Sequence, residues 1–215
     1  MIYAKITAEK VARYLLEVKA VKLNTAKPFT WASGLKSPVY CDNRITLSYP
    51  EIRSFITREL VKASLGNFKM IDVVAGVATA GIAQGVLVAR DLDLPFAYVR
   101  SSSKDHGMGN RIEGVVKPEQ NVLVIEDLVS TGKSSLDAVS ALRERQSVVS
   151  GMLSVFTYGL SLADENFEKA NCPLISLSDY DTLIKVALDS HYITKKDIKS
   201  LEKWRENPKI WSENA

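Results

Sequence analysis

The sequence has no apolar stretch of the length that a membrane span or a secretion signal requires. A membrane helix needs about 20 mostly apolar residues in a row, and a secretion signal needs an apolar core of about 7–15 residues. At the N-terminus, charged side chains such as Lys5, Lys10 and Arg13 separate the apolar positions. We therefore expect a soluble, cytoplasmic protein with no membrane partner.

Cysteine is almost absent: the chain of 215 residues contains two, Cys41 and Cys172. Their separation does not match the short spacings of cysteine metal ligands, and a chain of this length needs no disulfide to stabilise its core. The sequence thus predicts two free thiols in a reducing compartment.

An excess of charge of one sign is also lacking. The 28 Lys and Arg residues nearly balance the 25 Asp and Glu residues, which leaves a net charge of +3. This surplus is too small to indicate a nucleic-acid partner, so any functional charge must be clustered locally. The length and the 46% hydrophobic content suit a single domain with some additional elements.

What the sequence does contain is an alternation of apolar runs and helix-like segments. Four continuous apolar runs are typical of strands buried on both faces; they cover residues 71–75, 96–99, 122–125 and 151–157. We predict an α/β domain with a doubly wound parallel sheet flanked by helices. Since ligands bind beyond the carboxyl ends of such strands, the loops starting at Gly76, Arg100 and Glu126 are candidates for the functional site.

Further elements are predicted on both sides of this region. Helical periodicity covers residues 7–19, and two short strands are expected around a turn at Gly34. A helix is expected to follow Ser48, because Ser48 can cap it and Glu51 can complete a capping box. The other predicted elements are a helix at 135–145, a strand at 174–177, and helices at 180–190 and 195–206.

The segment after the third apolar run combines acids, hydroxyls and one glycine. Glu126 and Asp127 follow the run, and Ser130, Thr131 and Gly132 precede a helix. The free N–H groups and positive dipole end of a helix N-terminus favour a phosphate at this turn. The carboxylates suit sugar hydroxyls, a metal ion or a developing positive charge. A plain capped turn with solvated acids is the alternative.

Two other nucleotide-binding motifs are excluded for this turn. Gly132 begins a Gly-Lys-Ser sequence like the end of a P-loop, but Asp127 stands where that motif requires another glycine. The G-x-G-x-x-G sequence of a dinucleotide-binding fold is also missing after the strand.

The loop after the second apolar run is long and rich in cations. Its cationic or protonatable side chains are Arg100, Lys104, His106 and Arg111. A loop of this length suits a lid that closes over a polyanion and neutralises it as charge develops. The alternative is a solvated charged loop.

Residues 122–132 resemble the phosphoribosyl pyrophosphate (PRPP) signature of type I phosphoribosyltransferases. In that family the two acids contact the ribose hydroxyls and the turn holds the 5-phosphate. The PRPP-binding residues that the resemblance implies here are Glu126, Asp127, Leu128, Val129, Ser130, Thr131, Gly132, Lys133 and Ser134. The loop at residues 75–81 is similar to the family's pyrophosphate-binding loop, which acts through main-chain amides.

Residues 100 and 104–107 resemble the mobile catalytic loop of one branch of this family, the orotate phosphoribosyltransferases. The resemblance implies that Lys104, Arg100 and His106 are catalytic and bind PRPP. It also implies a homodimer in which Lys104 reaches into the neighbouring subunit's site. Ser130 matches a position that touches orotate in these enzymes.

Residues 29–44 resemble the N-terminal hood that covers the base in bacterial orotate phosphoribosyltransferases. Lys36 and Arg44 are candidates for binding the orotate carboxylate. The resemblance covers residues 5–160. We expect one domain over residues 1–215 with three parts: a hood (1–45), a core sheet (66–160) and a C-terminal helical elaboration (161–215).

The activity implied by this resemblance is transfer of the ribosyl phosphate group from PRPP to orotate, in the synthesis of UMP. Mg²⁺ is expected as a cofactor held mainly by PRPP and water, with no direct protein ligand. Two alternatives stay open: a phosphoribosyltransferase for another nucleobase, and a regulator that binds PRPP without catalysis.

Overall fold

A six-stranded sheet lies at the centre of the chain in the computed structural model, which describes residues 1–31, 34–101 and 111–214. The helices in these ranges are α1 (Lys5–Glu17), α2 (Pro50–Asn67), α3 (Ala80–Leu92), α4 (Lys133–Glu144), α5 (Ser161–Lys169), α6 (Tyr180–Asp189), α7 (Lys195–Glu206) and α8 (Pro208–Glu213). The strands are β1 (Val21–Leu23), β2 (Phe29–Thr30), β3 (Lys36–Ser37), β4 (Val39–Cys41), β5 (Val73–Val77), β6 (Phe96–Val99), β7 (Ile112–Glu113), β8 (Asn121–Val129), β9 (Val148–Thr157) and β10 (Leu174–Asp179). A 3-10 helix, Asn43–Ser48, precedes α2.

The central sheet has the strand order β10-β9-β8-β5-β6-β7. All neighbouring strands are parallel except β6 and β7, which are antiparallel. Every residue of β5 and most residues of β8 are buried, as expected for strands covered by helices on both faces. The predicted doubly wound parallel sheet is confirmed.

Helices cover both faces of this sheet. The core that contains Val74 and Leu123 also contains residues of α1, α2, α3 and α6. The core on the other face contains Val73 and Val124 together with residues of α4 and α5. Adjacent strand residues thus enter different cores, because successive side chains in a strand point to opposite faces.

The third apolar run belongs to a longer strand than predicted. β8 continues to Val129, because its backbone stays paired with β9 as far as Thr157. Glu126 and Asp127 therefore lie within the strand, and not in the loop after it. The strand pairing holds the two acids in an extended backbone with their side chains on opposite faces.

The predicted cap of α2 is wrong. Ser48 ends the 3-10 helix, and Tyr49 occupies the N-cap position without a side-chain hydrogen bond. Pro50, at the first helical position, has no N–H to satisfy. Nη1 of Arg53 donates to the carbonyl of Leu47 at 2.9 Å, which joins the first turn of α2 to the 3-10 helix.

Segments near both chain ends form sheets of their own or extend the central one. β1 pairs with β4 and β2 with β3, each in an antiparallel pair. β10, which lies beyond residue 160, pairs with β9 and supplies the edge strand of the central sheet. The sequence did not predict β1, β7, α5 or α8. Among the described residues, no helix combines the length and apolar character needed to cross a bilayer.

Candidate functional site

The acid pair lies near the carboxyl end of β8. Glu126 is buried, with 5% of its surface exposed, whereas Asp127 is half-buried. Oγ of Ser135 donates to one carboxylate oxygen of Glu126 at 2.9 Å. The main-chain N–H of Asp127 donates to the other at 3.0 Å. Glu126 is thus held from two sides, while Asp127 is the acid more accessible to a ligand.

Burial raises the pKa of Glu126 well above its ordinary value of 4.5, and the neighbouring carboxylate of Asp127 raises it further. Burial also raises the pKa of Asp127. Two adjacent, partly desolvated carboxylates are stabilised by hydroxyl donors or by positive charge. The pair therefore suits a sugar whose anomeric carbon becomes cationic during reaction.

We expect the substitution Glu126→Gln to remove a pH-dependent cost to folding. Because burial raises the pKa of Glu126 in the folded chain, this group lowers stability as the pH rises above about 4.5. Relative to the native chain, the glutamine variant is expected to gain stability from about pH 5 upward and to show no such gain below about pH 4. Urea unfolding across this pH range measures the difference.

The matched control for this experiment is Glu144→Gln, at an exposed position of α4. Because the Glu144 side chain is exposed, this substitution removes a carboxyl group that folding does not bury. A difference between Glu126→Gln and the native chain that does not depend on pH would contradict the role of burial.

The turn between β8 and α4 presents a row of main-chain donors. The N–H groups of residues 131–135 have no main-chain acceptor in the part of the chain that the structure describes. They lie at the N-terminus of α4, where the helix dipole is positive. This arrangement favours an anion with several acceptor oxygens, such as a phosphate.

Gly132 and α5 shape this turn. Gly132 has φ +77°, and a Cβ at this position would lie 2.6 Å from Cε2 of Phe167 in α5. Only glycine combines this backbone conformation with so close a neighbour. Nδ2 of Asn166 donates to the carbonyl of Thr131 at 2.9 Å. The turn is therefore braced from the side by α5.

The predicted pyrophosphate-binding loop, residues 75–81, is shorter in the structure, because residues 75–77 belong to β5 and residues 80 and 81 begin α3. The connection lies directly against the acid pair. A Cβ at Gly81 would be 2.5 Å from the carbonyl oxygen of Ile125 and 3.4 Å from Cα of Glu126. The N–H of Ala78 donates to the carbonyl of Val99, at the end of β6, at 2.8 Å. The structure thus brings this loop to the carboxyl ends of both β6 and β8.

Of the three predicted catalytic residues, Arg100 is described by the structure. Its N–H donates to the carbonyl of Arg111 at 2.8 Å, and Nε of Arg111 donates to the carbonyl of Arg100 at 3.1 Å. The two ends of the predicted lid therefore meet. Nη1 of Arg100 lies 3.5 Å from a carboxylate oxygen of Glu113. Lys104 and His106 lie outside the described residues.

Asn43 is a site residue that the sequence did not reveal. It is 3% exposed, and its Nδ2 donates to the main-chain carbonyl of Asp127 at 2.7 Å. Its Oδ1 accepts from Sγ of Cys41 at 3.3 Å, and burial raises the pKa of this thiol, which keeps the donor protonated. The contact joins the N-terminal segment to the acid pair over 84 positions, so no local pattern could have predicted it.

The two side chains predicted to bind a carboxylate have different surroundings. Nε of Arg44 lies 2.7 Å from Oδ1 of Asp42, and the Arg44 side chain is largely exposed. Burial raises the pKa of Asp127, and the positive charge of Arg44 opposes this rise. Lys36 lies in β3, and its main-chain N–H donates to Oγ of Ser212 at 2.9 Å. Arg44 is the better placed of the two for an anion beside Asp127.

Known proteins match nearly the whole chain. Residues 48–150 match the phosphoribosyl transferase domain family. The chain is 51% identical to the orotate phosphoribosyltransferase of Listeria innocua over 203 residues, which are 94% of this chain and 97% of that protein. It is 52% identical to the orotate phosphoribosyltransferase of Porphyromonas gingivalis over 207 residues, 96% of this chain and 99% of that protein. Alignments of this length must continue beyond residue 160, further than the predicted resemblance.

A solved structure shares the fold. The crystal structure of orotate phosphoribosyltransferase from Aeropyrum pernix matches with a TM-score of 0.73 at 27% identity. The match covers 81% of this chain and 96% of the Aeropyrum pernix chain. The architecture of a mostly parallel sheet flanked by helices is therefore shared with this group of proteins.

Proposed function

The chain belongs to the orotate phosphoribosyltransferases, and on this basis we propose that it transfers the ribosyl phosphate group of PRPP to orotate. The products are orotidine 5'-monophosphate and diphosphate. The end of β8 carries this proposal, because an acid pair is followed there by a turn whose main-chain donors have no main-chain acceptor among the described residues. The acids suit the ribose hydroxyls and the donors suit the 5-phosphate.

The reaction joins N1 of orotate to C1 of the ribose as the bond from C1 to the diphosphate oxygen breaks. The proton on N1 leaves in the same step and passes to water or to an oxygen of the departing diphosphate, so no strong protein base is needed. Asp127 holds the ribose hydroxyls, and with Glu126 it stabilises the positive charge that develops at C1. The hydrogen bonds to Glu126 from Ser135 and to the carbonyl of Asp127 from Asn43 keep the strand in place.

Stabilisation of the departing diphosphate is the second task of the site. Lys104, Arg100 and His106 are proposed to supply positive charge from the closed lid. Arg100 lies at the end of β6, close to the main chain of the loop after β5, where Ala78 is bonded to the neighbouring Val99. The three lid side chains and the main-chain amides of the loop after β5 are proposed to bind the same leaving group, the diphosphate.

We assign Mg²⁺ to the substrate and not to a protein cage. Within the described ranges, no group of three or more His, Cys, Asp and Glu side chains is arranged to hold a metal ion. Mg²⁺ retains several waters and binds phosphate oxygens, so PRPP and water suit it as ligands. When bound, it neutralises charge on the diphosphate.

We also propose a homodimer in which the lid carrying Lys104 completes the neighbouring subunit's site. The two ends of the lid meet at Arg100 and Arg111. Arg100 directly follows β6 and Arg111 directly precedes β7, which is one of the two edge strands of the sheet. The lid thus leaves the sheet at its margin, where a second subunit can receive it.

The proposed substrate is tested by mixing the protein with orotate, PRPP and Mg²⁺ and following the absorbance of orotate. We expect orotate to be consumed only when PRPP is present. Turnover of hypoxanthine or adenine with orotate unchanged would instead indicate a phosphoribosyltransferase for another base. Binding of PRPP without turnover of any base would indicate a non-catalytic regulator.

A further inference from the structure

The part of the hood formed by β2 and β3, here called the hood hairpin, is too small to hold its own position. Each strand has two residues, and the pairing consists of Phe29 with Ser37 and Thr30 with Lys36. A two-stranded hairpin is at best marginally stable in water even when its strands are longer. The position of the hairpin must therefore come from the elements it packs against.

Two hydrogen bonds connect α7 and α8, here called the tail helices, to the hairpin and to the segment that leads into it. Before β2, Oγ1 of Thr25 donates to Oδ1 of Asp197 in α7 at 2.5 Å. Within β3, the N–H of Lys36 donates to Oγ of Ser212 in α8 at 2.9 Å. The second carboxylate oxygen of Asp197 accepts from the N–H of Thr194 at 2.9 Å and completes the capping box of α7. The attachment point is thus itself held rigidly.

A cluster of aromatic rings joins the same elements. Trp204 of α7 is fully buried, and its ring centroid lies 5.8 Å from that of Trp31 and 5.4 Å from that of Tyr158. Trp31, directly after β2, stacks on Tyr158 at 5.5 Å with an interplanar angle of 24°. Edge-to-face and offset-stacked rings at these distances attract each other. Trp204 therefore holds the hood hairpin through Trp31.

Tyr158 connects this cluster to the end of β8. Tyr158 directly follows β9, and its N–H donates to the carbonyl of Val129, the last residue of β8, at 3.0 Å. The central sheet thus holds Tyr158 in place, whereas the position of Trp31 in the hairpin depends on its contacts with Tyr158 and Trp204. In α7, Leu201 and Trp204 are the buried residues, so the helix docks through this contact.

We propose that the tail helices position the hood over the base, with Thr25, Trp204 and Ser212 acting as positioning residues for orotate binding. The inference rests on the proposed function and extends it to the C-terminal segment. When the attachment is weakened, the hairpin samples positions that cannot bind orotate. The apparent affinity for orotate then falls in proportion to the fraction of molecules whose hairpin is in the binding position. The PRPP turn lies between β8 and α4 and is formed without the tail helices.

The test compares the double variant Thr25→Val, Ser212→Ala with the native chain. Each substitution removes one hydroxyl that bonds the tail helices to the hairpin or to the segment that leads into it, and leaves the aromatic cluster intact. We expect the KM for orotate to rise about fivefold for each lost hydrogen bond, with the KM for PRPP and kcat changed less than about twofold. A rise in both KM values together, or no rise in either, would overturn the proposal.

A matched control is Ser190→Ala. Ser190 Oγ donates to the carbonyl of Val186 at the end of α6, so this substitution removes a similar hydroxyl that does not contact the hairpin. Both KM values are expected to stay at the native level in this variant.

Hydrogen–deuterium exchange supplies a readout that does not depend on activity. In the double variant, amides of residues 35–41 are expected to exchange about tenfold faster, while those of β8 and α4 stay protected. Unchanged exchange in residues 35–41 would overturn the attachment even if orotate is the substrate. If orotate is not consumed by the native chain, the proposed function fails, and the exchange experiment still decides whether the tail helices hold the hairpin.

Discussion

Replacing Lys104 with alanine is expected to lower kcat about a thousandfold while leaving the free energy of unfolding nearly unchanged. The lysine is proposed to meet the diphosphate as its negative charge develops, and loss of one such preorganised donor costs about 10²–10³ in kcat. Because this contact forms mainly in the transition state, the KM for PRPP is expected to change much less. Steady-state kinetics and urea unfolding measure the two effects.

Lys117→Ala provides the control, since Lys117 is an exposed lysine after the predicted lid. It is expected to retain native activity. If Lys104→Ala also retained activity, the assignment of the catalytic cation to this lid would be wrong.

Mixed dimers test the proposed reach of Lys104 across the subunit interface. Lys104→Ala and Asp127→Asn subunits are each expected to be nearly inactive as homodimers. A mixed dimer has one site with an intact acid pair from one subunit and an intact lysine from the other. Random mixing is therefore expected to restore about a quarter of native activity. Absence of any recovery after verified subunit exchange would contradict the shared site.

Replacing Gly81 with alanine is expected to cost about 3 kcal/mol or more of folding stability. The added Cβ would lie 2.5 Å from the carbonyl oxygen of Ile125, a backbone atom of an interior strand that cannot move aside without disturbing β5 and β9. Since Glu126 follows Ile125, the acid pair would shift as well. We therefore expect the folded molecules of this variant to have a higher KM for PRPP. Steady-state kinetics measures the KM, and urea unfolding measures the loss of stability.

Gly66→Ala is the matched control for this substitution. Gly66 also lies in a helix, α2, and a Cβ there would meet no atom of the described residues within 4 Å. Because alanine favours a helix more than glycine does, this variant is expected to be as stable as the native chain or up to about 1 kcal/mol more stable. Equal tolerance of alanine at both positions would show that the close approach of the loop to β8 is not essential.

The length of β8 shows what a local sequence pattern predicts about a strand and what it misses. Its continuous apolar residues, 122–125, predicted a buried strand correctly, because burial on both faces leaves few alternatives to apolar side chains. The apolar run ends at Ile125, so the sequence predicts that the two acids begin a loop. Backbone pairing with β9 extends the strand past them, and side-chain polarity carries no information about that pairing.

The start of α2 shows a conflict between two local signals. Ser48 and Glu51 have the spacing of a capping box, yet Ser48 belongs to the preceding 3-10 helix. Asp42 and Asn43 determine that turn: Asp42 caps the 3-10 helix, and Asn43 is fixed by its bond to Asp127. A long-range contact thus overrides a local preference.

The sequence by itself determined the α/β alternation, the glycine-containing turn after β8 that is proposed to bind phosphate, and the family resemblance. These features depend on residues that are adjacent in the chain, where hydrophobic periodicity, glycine and hydroxyl positions directly reflect backbone geometry. Only the tertiary structure decided that Glu126 is buried, that Asn43 bonds to Asp127, and that Ser212 holds the hood hairpin 176 positions away. Such contacts arise from packing between distant segments, and no local pattern in either segment specifies its partner.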